Sequence, residues 1–449
     1  MSATFGSPFR PTPVTHRRRT GGAGAVTLRC SKAAAALVAP VLDDLRLYKR
    51  GGQWAVREPT SLLAATKGWR LPGLSRPGSS PLCTTPLPLL RHVAGAKAAG
   101  MRAGLAVDGA GELKMIPSYV YSLPTGSETG MFYALDLGGT NFRVLRVQLG
   151  GKDRRVVDTE SEQVSIPKEI MHGTTEELFD FIAAFWILWH YWNEDVMVAV
   201  ILGTGTEACY IERTESIPKL QHLGLGTGNT IINTEWGAFS DGRPLTEFDR
   251  DMDAESINPG EQIFEKTISG MYLGEIVRRV LAKMAQESDL FGHSFSHKLA
   301  EPFVLRTPHL CAMQQDNSDH LGEVESILHD VMGVNQSSLA AWRFILEVSD
   351  CVIKRGGRLA GAGIAGILQK MENDSKELIL GRRTAVAMYG GLYENYPQYK
   401  SYMVEAMAEL LGPRDMEHIV VEHTKDGSGI GAALLAAANS KYAGAQLST

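Results

Sequence analysis

Residues 132–143, Phe-Tyr-Ala-Leu-Asp-Leu-Gly-Gly-Thr-Asn-Phe-Arg, have the pattern of a strand that enters a two-glycine turn and returns as a second strand. The apolar run from Phe132 to Leu137 ends at the pair Gly138-Gly139. Beyond the turn, three apolar residues give the imperfect alternation expected of a half-buried strand: Val144, Val147 and Leu149. The pattern therefore predicts a β-hairpin that is closed by the glycine pair.

The composition of this turn suits the binding of a phosphate group. Glycine adopts positive φ and lets the backbone approach a ligand, so that successive N–H groups can converge on an anion. Thr140 and Asn141 add side-chain donors, and the Asp136 carboxylate at the strand end is suited to hold Mg²⁺ through water. An ordinary glycine hairpin turn that binds nothing is the alternative reading of this one segment.

Two more glycine turns follow apolar strand patterns. The buried-strand run 196–202 breaks at Gly-Thr-Gly-Thr, 203–206, before a second strand resumes. Near the end of the chain, 418–421 leads to the glycine-rich 425–431 and then to a helical pattern at 432–438. Unpaired N–H groups and the dipole at a helix N-terminus favour anions. Three strand-to-glycine turns in one chain therefore indicate a nucleotide site.

These segments resemble the hexokinase family and, within it, the plant enzymes of plastid type. The matching segments stand in family order from about residue 86 to 440: 132–143, Asn-Thr-Glu-Trp-Gly-Ala-Phe at 233–239, Asn-Pro-Gly-Glu-Gln at 258–262 with Glu265, and 427–434. The resemblance implies an α/β, actin-like ATPase (ribonuclease H-like) two-domain fold. It also implies transfer of the γ-phosphoryl group of ATP, with Mg²⁺ as cofactor, to the 6-hydroxyl of glucose or a related hexose.

The resemblance assigns residues of this chain to both substrates. The residues implied for ATP and its phosphates are Asp136, Gly138, Gly139, Thr140, Asn141, Arg143, Gly203, Thr204, Gly427, Ser428 and Gly429, with Asp136 next to the metal. Glu235 and Glu265 are implied to accept hydrogen bonds from the sugar hydroxyls. Without the resemblance, either glutamate reads equally well as a solvated surface acid.

Two positions depart from the family pattern. Glu207 stands where the family has an Asn that contacts a sugar hydroxyl. Three carboxylates in one site, Glu207 with Glu235 and Glu265, should raise the pKa of at least one of them and weaken sugar binding. Tyr389 replaces an Asp that is typical of the strand on the adenosine side.

A larger departure concerns the catalytic base. The family carries its proton-accepting Asp in an Asn-Asp-Thr-Val-Gly-Thr segment just before the second phosphate turn, and a Thr-Lys pair for the sugar earlier in that region. Neither segment occurs here, and no catalytic residue is assigned. The aromatic stretch 184–194 stands in their place, and we interpret it as non-family sequence from an intron or splice variant rather than as an aromatic binding surface. The family pattern resumes at Asp195.

This departure leaves three interpretations of the chain. The first is a hexokinase whose fold is incomplete and for which we expect no measurable turnover, since phosphoryl transfer needs a group that accepts the proton of the attacking hydroxyl. The second is a non-catalytic sugar- or nucleotide-binding sensor, and the third is a mis-spliced product. Glu207 could replace the missing base only if its carboxylate lay within hydrogen-bond distance of the attacking sugar hydroxyl.

Composition divides the chain into four segments. Residues 1–42 contain no acid but many basic and hydroxyl residues, which is typical of a plastid transit peptide; a mitochondrial anchor, a cytosolic protein and a basic tail are the alternatives. We expect 43–85 to be a disordered inserted segment that is rich in Gly, Pro and Ser. A truncated small domain then covers 86–190, and a large domain covers 195–440.

Bulk properties agree with a globular enzyme. The chain has 449 residues, 44% of them hydrophobic, and a net charge of −5, so a sizeable core is expected and a nucleic-acid partner is not. Its apolar runs are shorter than the roughly 20 residues that span a bilayer. Five dispersed cysteines predict reduced thiols. The amphipathic run 265–286 predicts one core-packing helix.

Overall fold

The computed structural model describes residues 47–50, 53–56, 84–118, 120, 124–137, 141–151, 154–165, 195–223, 228–242, 245–287, 290–291, 297–335, 337–374, 382–423 and 427–438. The chain forms two compact units, 1–64 and 65–449. The predicted boundary between a small and a large domain near 190–195 stays a prediction.

The first unit contains two short antiparallel strands, β1 (Leu47–Arg50) and β2 (Gln53–Val56), with Arg50 opposite Gln53. The expectation of disorder throughout 43–85 is therefore wrong for these eight residues. The sequence between the strands is Gly-Gly, and two glycines between β-prone residues are a strong local signal for a hairpin. Apart from Thr84 and Thr85, the rest of that segment and the predicted transit peptide lie outside the described residues.

The second unit begins with helix α1 (Leu87–Ala106) and the short strand β3 (Ile116–Pro117). An antiparallel sheet follows, with strand order β4 (Thr129–Leu137), β5 (Asn141–Gly150) and β6 (Arg154–Ser165). The register places Asp136 opposite Arg143 and Leu137 opposite Phe142, which confirms the predicted hairpin.

The buried face of β5 differs from the prediction by one position. Leu145, Val147 and Leu149 are buried in strict alternation, whereas Val144 is 36% exposed. Side chains alternate between the two faces of a strand, so Val144 lies on the face opposite to Val147. The sequence pattern was ambiguous because apolar residues occupy both faces at the start of this strand.

The larger sheet holds five further strands: β7 (Val196–Leu202), β8 (Thr206–Arg213), β9 (Asn229–Asn233), β10 (Thr384–Tyr389) and β11 (Ile419–His423). Its order is β11-β10-β7-β8-β9-β3. Strands β7, β8 and β9 are antiparallel neighbours, while β10 and β11 run parallel to β7. The carboxyl ends of β7, β10 and β11 therefore lie at one edge, where α/β sheets bind ligands.

The two sheets begin in the same way. Each starts with a hairpin, β4–β5 or β7–β8, that is joined by a glycine-containing turn and is followed by a third antiparallel strand. The larger sheet then adds two parallel strands beside β7. The described part of the smaller sheet consists of the first three strands.

Ten more helices complete the described chain: α2 (Glu247–Ala254), α3 (Ile263–Ile268), α4 (Leu273–Glu287), α5 (Thr307–Gln315), α6 (Gly322–Ser326), α7 (Leu339–Asp374), α8 (Gly391–Asn395), α9 (Pro397–Leu411), α10 (Pro413–Met416) and α11 (Gly427–Ala438). The last of these contains the predicted helix 432–438 and packs against β4 and β5. No helix within the described ranges is long and apolar enough to cross a membrane.

The prediction of one continuous helix over 265–286 is wrong. Helix α3 ends at Ile268, and α4 begins at Leu273. The residues between them bind the second glycine turn through backbone hydrogen bonds, from Gly270 N to Gly203 O over 2.8 Å and from Met271 N to Thr204 O over 2.9 Å. Tertiary hydrogen bonds thus replace the intrahelical ones at this break, although the amphipathic period continues across it.

Helix α7 forms the centre of the helical layer and packs on α1 and α9. Glycine permits the close approach to α1, since a Cβ atom at Gly366 would lie 2.8 Å from the carbonyl oxygen of Ala94. A Cβ atom at Gly363 would lie 3.0 Å from the Trp236 ring and 3.1 Å from that of Phe264. These contacts bring α1, α7 and the residues after β9 together behind the site.

Candidate active site

The second glycine turn joins β7 to β8 and keeps two backbone donors available. Gly203 N donates to Gly205 O over 3.0 Å, which closes the turn. Within the described ranges, neither Thr204 N nor Gly205 N donates a backbone hydrogen bond. Thr204 is exposed to solvent. Two adjacent N–H groups in a tight turn form the kind of concavity that binds an anion.

Two other glycines hold this turn from either side. Gly390, at the end of β10, has φ +110°, and a Cβ atom there would lie 2.5 Å from Leu202 O and 2.9 Å from Gly203 N. A Cβ atom at Gly270 would lie 2.6 Å from Gly203 O. Any other residue at these two positions would displace the turn, so the position of the turn depends on both glycines.

The remaining phosphate residues of the sequence prediction are only partly described. The backbone of Asp136, Asn141 and Arg143 belongs to the β4–β5 hairpin, but their side chains and residues 138–140 lie outside the described residues. Residues 427–429 form the first turn of α11, which follows β11 at the carboxyl edge of the sheet. The structure therefore brings 203–205 and the start of α11 to the same edge of the larger sheet.

Glu265 contacts the second glycine turn and belongs to the group of three acids that the sequence predicted for the sugar. Its Oε2 accepts a hydrogen bond from Thr206 N over 2.9 Å, and a Cβ atom at Gly205 would lie 2.7 Å from the same oxygen. The carboxylate is supplied by α3, just before the break at Ser269. The carboxylate at 265 is thus in direct contact with the end of the turn that offers N–H donors.

Glu207 lies one residue further along β8 and is buried. Its Oε1 accepts hydrogen bonds from its own neighbour Ala208 N over 2.9 Å, from Trp236 N over 3.0 Å and from the Thr234 hydroxyl over 3.2 Å. The residues that follow β9 therefore fix the Glu207 carboxyl group. Two of these residues, Thr234 and Trp236, are the chain neighbours of the third acid, Glu235.

Glu235 has a left-handed backbone with φ 55°, which is uncommon for a residue with a side chain and is often found at functional sites. Asn233 holds it in two ways, because Asn233 Nδ2 donates to Glu235 Oε1 over 3.3 Å and Glu235 N donates to Asn233 Oδ1 over 3.2 Å. Lys114 Nζ lies 3.6 Å from Glu235 Oε2. Asn233 and Lys114 were not predicted as part of the site.

The pKa values of all three acids are raised. Burial, followed by repulsion from Glu235, raises the pKa of Glu207 to about 8. Burial also raises the pKa of Glu235, although Lys114 opposes this. For Glu265, burial raises the pKa, the hydrogen bond from Thr206 lowers it, and Glu235 adds a further rise. Burial is the largest cause for each acid, and the repulsion between carboxylates that the sequence predicted adds to the rise for Glu207 and Glu265.

Some residues of the site have a signal in the sequence, and others have none. Asn233 and Thr234 adjoin Glu235 in the chain, so proximity was a usable signal. Gly270 interrupts an amphipathic pattern, and an isolated glycine there usually has a packing reason. Lys114 lies far from Glu235 in sequence, and no local pattern connects the two. The second phosphate turn and the three glutamates were all predicted, and the structure brings them together.

This arrangement defines a class of protein. N–H donors for an anion adjoin carboxylates that can accept hydrogen bonds from several hydroxyl groups, on a sheet edge that suits a nucleotide. Such a site belongs to a phosphotransferase that brings a nucleotide phosphate to an alcohol acceptor.

Comparison with known proteins identifies the family. Residues 81–186 and 197–438 match two family models that are both described as hexokinase. A rice protein named Hexokinase-4, chloroplastic, is 65% identical, with 82% of this chain and 89% of the relative covered. A tobacco protein named Hexokinase-2, chloroplastic, is 55% identical over 80% of this chain and 89% of the relative. The chain belongs to the hexokinase family.

Solved structures agree with this family and with the predicted actin-like α/β fold. A hexokinase from Schistosoma mansoni complexed with glucose superimposes with a TM-score of 0.69 at 27% identity, over 80% of this chain and 96% of that chain. A second structure, described as hexokinase, has a TM-score of 0.64 at 23% identity and supports the fold.

The comparison with the rice protein also contains a gap. The alignment runs over 451 positions but takes in 82% of this chain, which is about 368 of its 449 residues. At least about 80 positions of that alignment therefore have no residue in this chain. The two family models leave residues 187–196 unmatched between them, which is where the sequence predicted the missing segment.

Proposed function

We propose that this chain retains the hexose and nucleotide sites of a hexokinase but has lost the carboxylate that accepts the proton of the sugar 6-hydroxyl. Hexokinases transfer the γ-phosphoryl group of ATP to that hydroxyl. The protein would then bind glucose or a related hexose, and ATP, without measurable transfer between them. The observation that carries this proposal is the gap of about 80 positions in the alignment with the rice relative, together with the break between the two family models at residues 187–196.

Chain length supports the loss of structure as well as of sequence. Residues 166–195, about 30 residues, separate β6 from β7. Each added parallel strand requires a crossover of about a dozen residues besides its own five or six. Two parallel strands with their connections, as in the larger sheet, would require more than 30 residues. The smaller sheet therefore has too little chain to repeat the arrangement of the larger one.

Retention of the sugar site is supported by the geometry of the three acids. Glu265 accepts a hydrogen bond through Oε2 from Thr206 N, while Glu235 accepts one through Oε1 from Asn233 and lies beside Lys114 through Oε2, so both carboxylates are held in place. Acceptors fixed at known positions select ligands by their hydroxyl pattern. The Schistosoma hexokinase, which has the same fold, was solved with glucose.

Nucleotide binding is supported by the free N–H groups of Thr204 and Gly205 and by the start of α11 at the same sheet edge. We assign the triphosphate to these groups and to Gly138, Gly139, Thr140, Asn141 and Arg143. We assign the base side to Gly427, Ser428 and Gly429. Mg²⁺ would neutralise charge on the phosphates, with Asp136 as its partner through water.

Plastid localisation is supported by two independent observations. The rice and tobacco relatives are both named chloroplastic. The acid-free, basic and hydroxyl-rich residues 1–42 have the composition of a transit peptide.

Two measurements on the purified chain test the proposal. ADP formation is followed with glucose and MgATP, and thermal unfolding is followed with glucose, with ATP and without ligand. We expect a cooperative melt that glucose and ATP each shift to higher temperature, because a ligand that binds the folded state alone stabilises it. We expect no ADP formation above the blank that lacks glucose.

The other outcomes separate the alternatives. Glucose-dependent ADP formation would show an active hexokinase and contradict the loss of the base. A cooperative melt that neither ligand shifts would contradict retention of the two sites. The absence of a cooperative melt would identify a product that does not fold.

A further inference from the structure

Lys97 is a fully buried charge directly behind the sugar carboxylates. It lies in the middle of α1, on the side that packs against α7, and its side chain is 0% exposed. Its Nζ lies 4.3 Å from the ring centroids of Trp236 and Phe264 and 5.0 Å from that of Phe239. Aromatic faces attract an ammonium group, and most strongly when water is excluded.

Rings alone do not neutralise a buried charge. Taking an ammonium group out of water is costly unless an opposite charge lies near it. Glu207 is an acid on the far side of the same residue, since Trp236, whose ring faces Lys97, also donates its backbone N–H to Glu207 Oε1 over 3.0 Å. Electrostatic attraction between Lys97 and Glu207 favours the ionised form of this carboxyl group and lowers its pKa.

The other groups around Glu207 act in the opposite direction or carry no charge. Glu235, after β9, repels its charge, and burial disfavours ionisation. The hydrogen bonds from Ala208 N, Trp236 N and the Thr234 hydroxyl are neutral donors. Lys97 is the cation that attracts the ionised form of this carboxyl group, against the repulsion from Glu235; a second lysine, Lys114, lies beside Glu235 itself.

We propose that Lys97 is a positioning residue of the sugar site: its ammonium group, enclosed by Trp236, Phe239 and Phe264, is the counter-charge that allows Glu207 to stand beside Glu235 and Glu265. Lys97 and Glu207 form one buried unit, in which Glu207 is an acid where the family has a neutral amide. This inference rests on the proposed sugar site, but its test requires no sugar.

A double-mutant cycle at two pH values tests the unit. The full chain, K97M, E207Q and K97M/E207Q are unfolded thermally without ligand at pH 6, where Glu207 is mostly protonated, and at pH 9, where it is mostly ionised. Methionine and glutamine keep the approximate volume of each side chain. We expect a favourable coupling of about 2 °C or more in the melting temperature at pH 9. We expect the coupling to become small at pH 6, because a neutral carboxyl group attracts the ammonium group only weakly.

Lys370 provides a matched control. It is 1% exposed, lies 5.2 Å from the ring centroid of Tyr210 and pairs with Glu212, so it is a buried lysine of the same kind in another part of the fold. We expect K370M to lower the melting temperature and to be additive with E207Q at both pH values. If the loss of any buried lysine had the same effect, the coupling between K370M and E207Q would be as large as the coupling between K97M and E207Q.

Three results would overturn the inference: no coupling between positions 97 and 207 at pH 9, a coupling of equal size at pH 6 and pH 9, or a full chain without a cooperative melt. The first would show that the residues act independently, and the second that they are coupled by packing rather than by charge. Glucose-induced stabilisation is measured separately on the full chain, so that loss of sugar binding with an intact pH-dependent coupling would contradict the proposed function alone.

Discussion

The backbone N–H of Gly270 donates a hydrogen bond to the carbonyl oxygen of Gly203 over 2.8 Å, and this contact connects the two halves of the candidate site. It fixes the phosphate turn to the break between α3 and α4. Helix α3 carries Glu265, which itself accepts from Thr206 N at the other end of the turn. A shift of the turn would therefore move the Glu265 carboxylate as well.

Substitution of Gly270 tests this connection. G270A should place a methyl group 2.6 Å from Gly203 O and force the turn to move. We expect the melting temperature to fall and the stabilisation by both ATP and glucose to be lost, as measured by thermal unfolding. The control is G95A, in the helical interior of α1, where a Cβ atom has nothing within 4 Å. Alanine there should leave ligand binding intact and stabilise the helix by roughly 0.5 to 1 kcal/mol.

The sugar carboxylates give the second prediction. E235Q and E265Q should each weaken glucose binding by about ten- to a hundredfold, because a hydrogen bond to a charged acceptor contributes about 1.5 to 3 kcal/mol. Isothermal titration with glucose measures the effect. E261Q, at an exposed acid four residues before Glu265, is the control and should bind as the unmodified chain does. Equal affinities for all four proteins would show that the sugar lies elsewhere.

The third prediction concerns Glu207, whose substitution should strengthen glucose binding rather than weaken it. E207N restores the neutral amide of the family and removes the repulsion with Glu235. We expect the dissociation constant for glucose to fall by about tenfold, the equivalent of about 1.4 kcal/mol. E212Q, which changes another buried acid of β8, should not raise the affinity. Weaker glucose binding by E207N would contradict the view that this acid opposes the sugar.

The fourth prediction concerns stability and pH. The pKa of Glu207 is about 8 in the folded protein, compared with an ordinary value of 4.5 for a glutamate in an unfolded chain. A carboxyl group with a raised folded-state pKa stabilises the protein fully below its unfolded pKa, and this contribution is lost as pH rises through the folded value. We therefore expect the melting temperature to fall from about pH 5 to pH 8 and to level above that. The decline should be smaller for E207Q, and an identical decline in both proteins would assign it to other groups.

The parts of the fold that are encoded locally could be predicted from the sequence. Strand β7 has the predicted bounds, since its apolar run ends at a clear glycine break. The β4–β5 hairpin was predicted because a glycine pair joins two apolar runs. The phosphate turn at 203–205 and the glutamates at 207, 235 and 265 were found through their family motifs, which depend on residue order rather than on packing.

The parts that depend on tertiary contacts could not be predicted. The amphipathic pattern of 265–286 continues through Ser269–Tyr272, so the break at Gly270 becomes clear only from its bond to Gly203. Lys97 has the sequence context of an ordinary helical lysine, and its burial follows from the packing of α1 on α7. Lys114 reaches Glu235 from a distant part of the chain. In each case the partner is remote in sequence.

The loss of the proton acceptor is tested by the rate of ADP formation from MgATP and glucose by the unmodified chain, compared with a chain in which the aligned segment of the rice relative replaces residues 184–194. We expect no glucose-dependent ADP from the unmodified chain and recovery of turnover to about 1 to 100 per second in the repaired one. Turnover at such rates by the unmodified chain would contradict this loss.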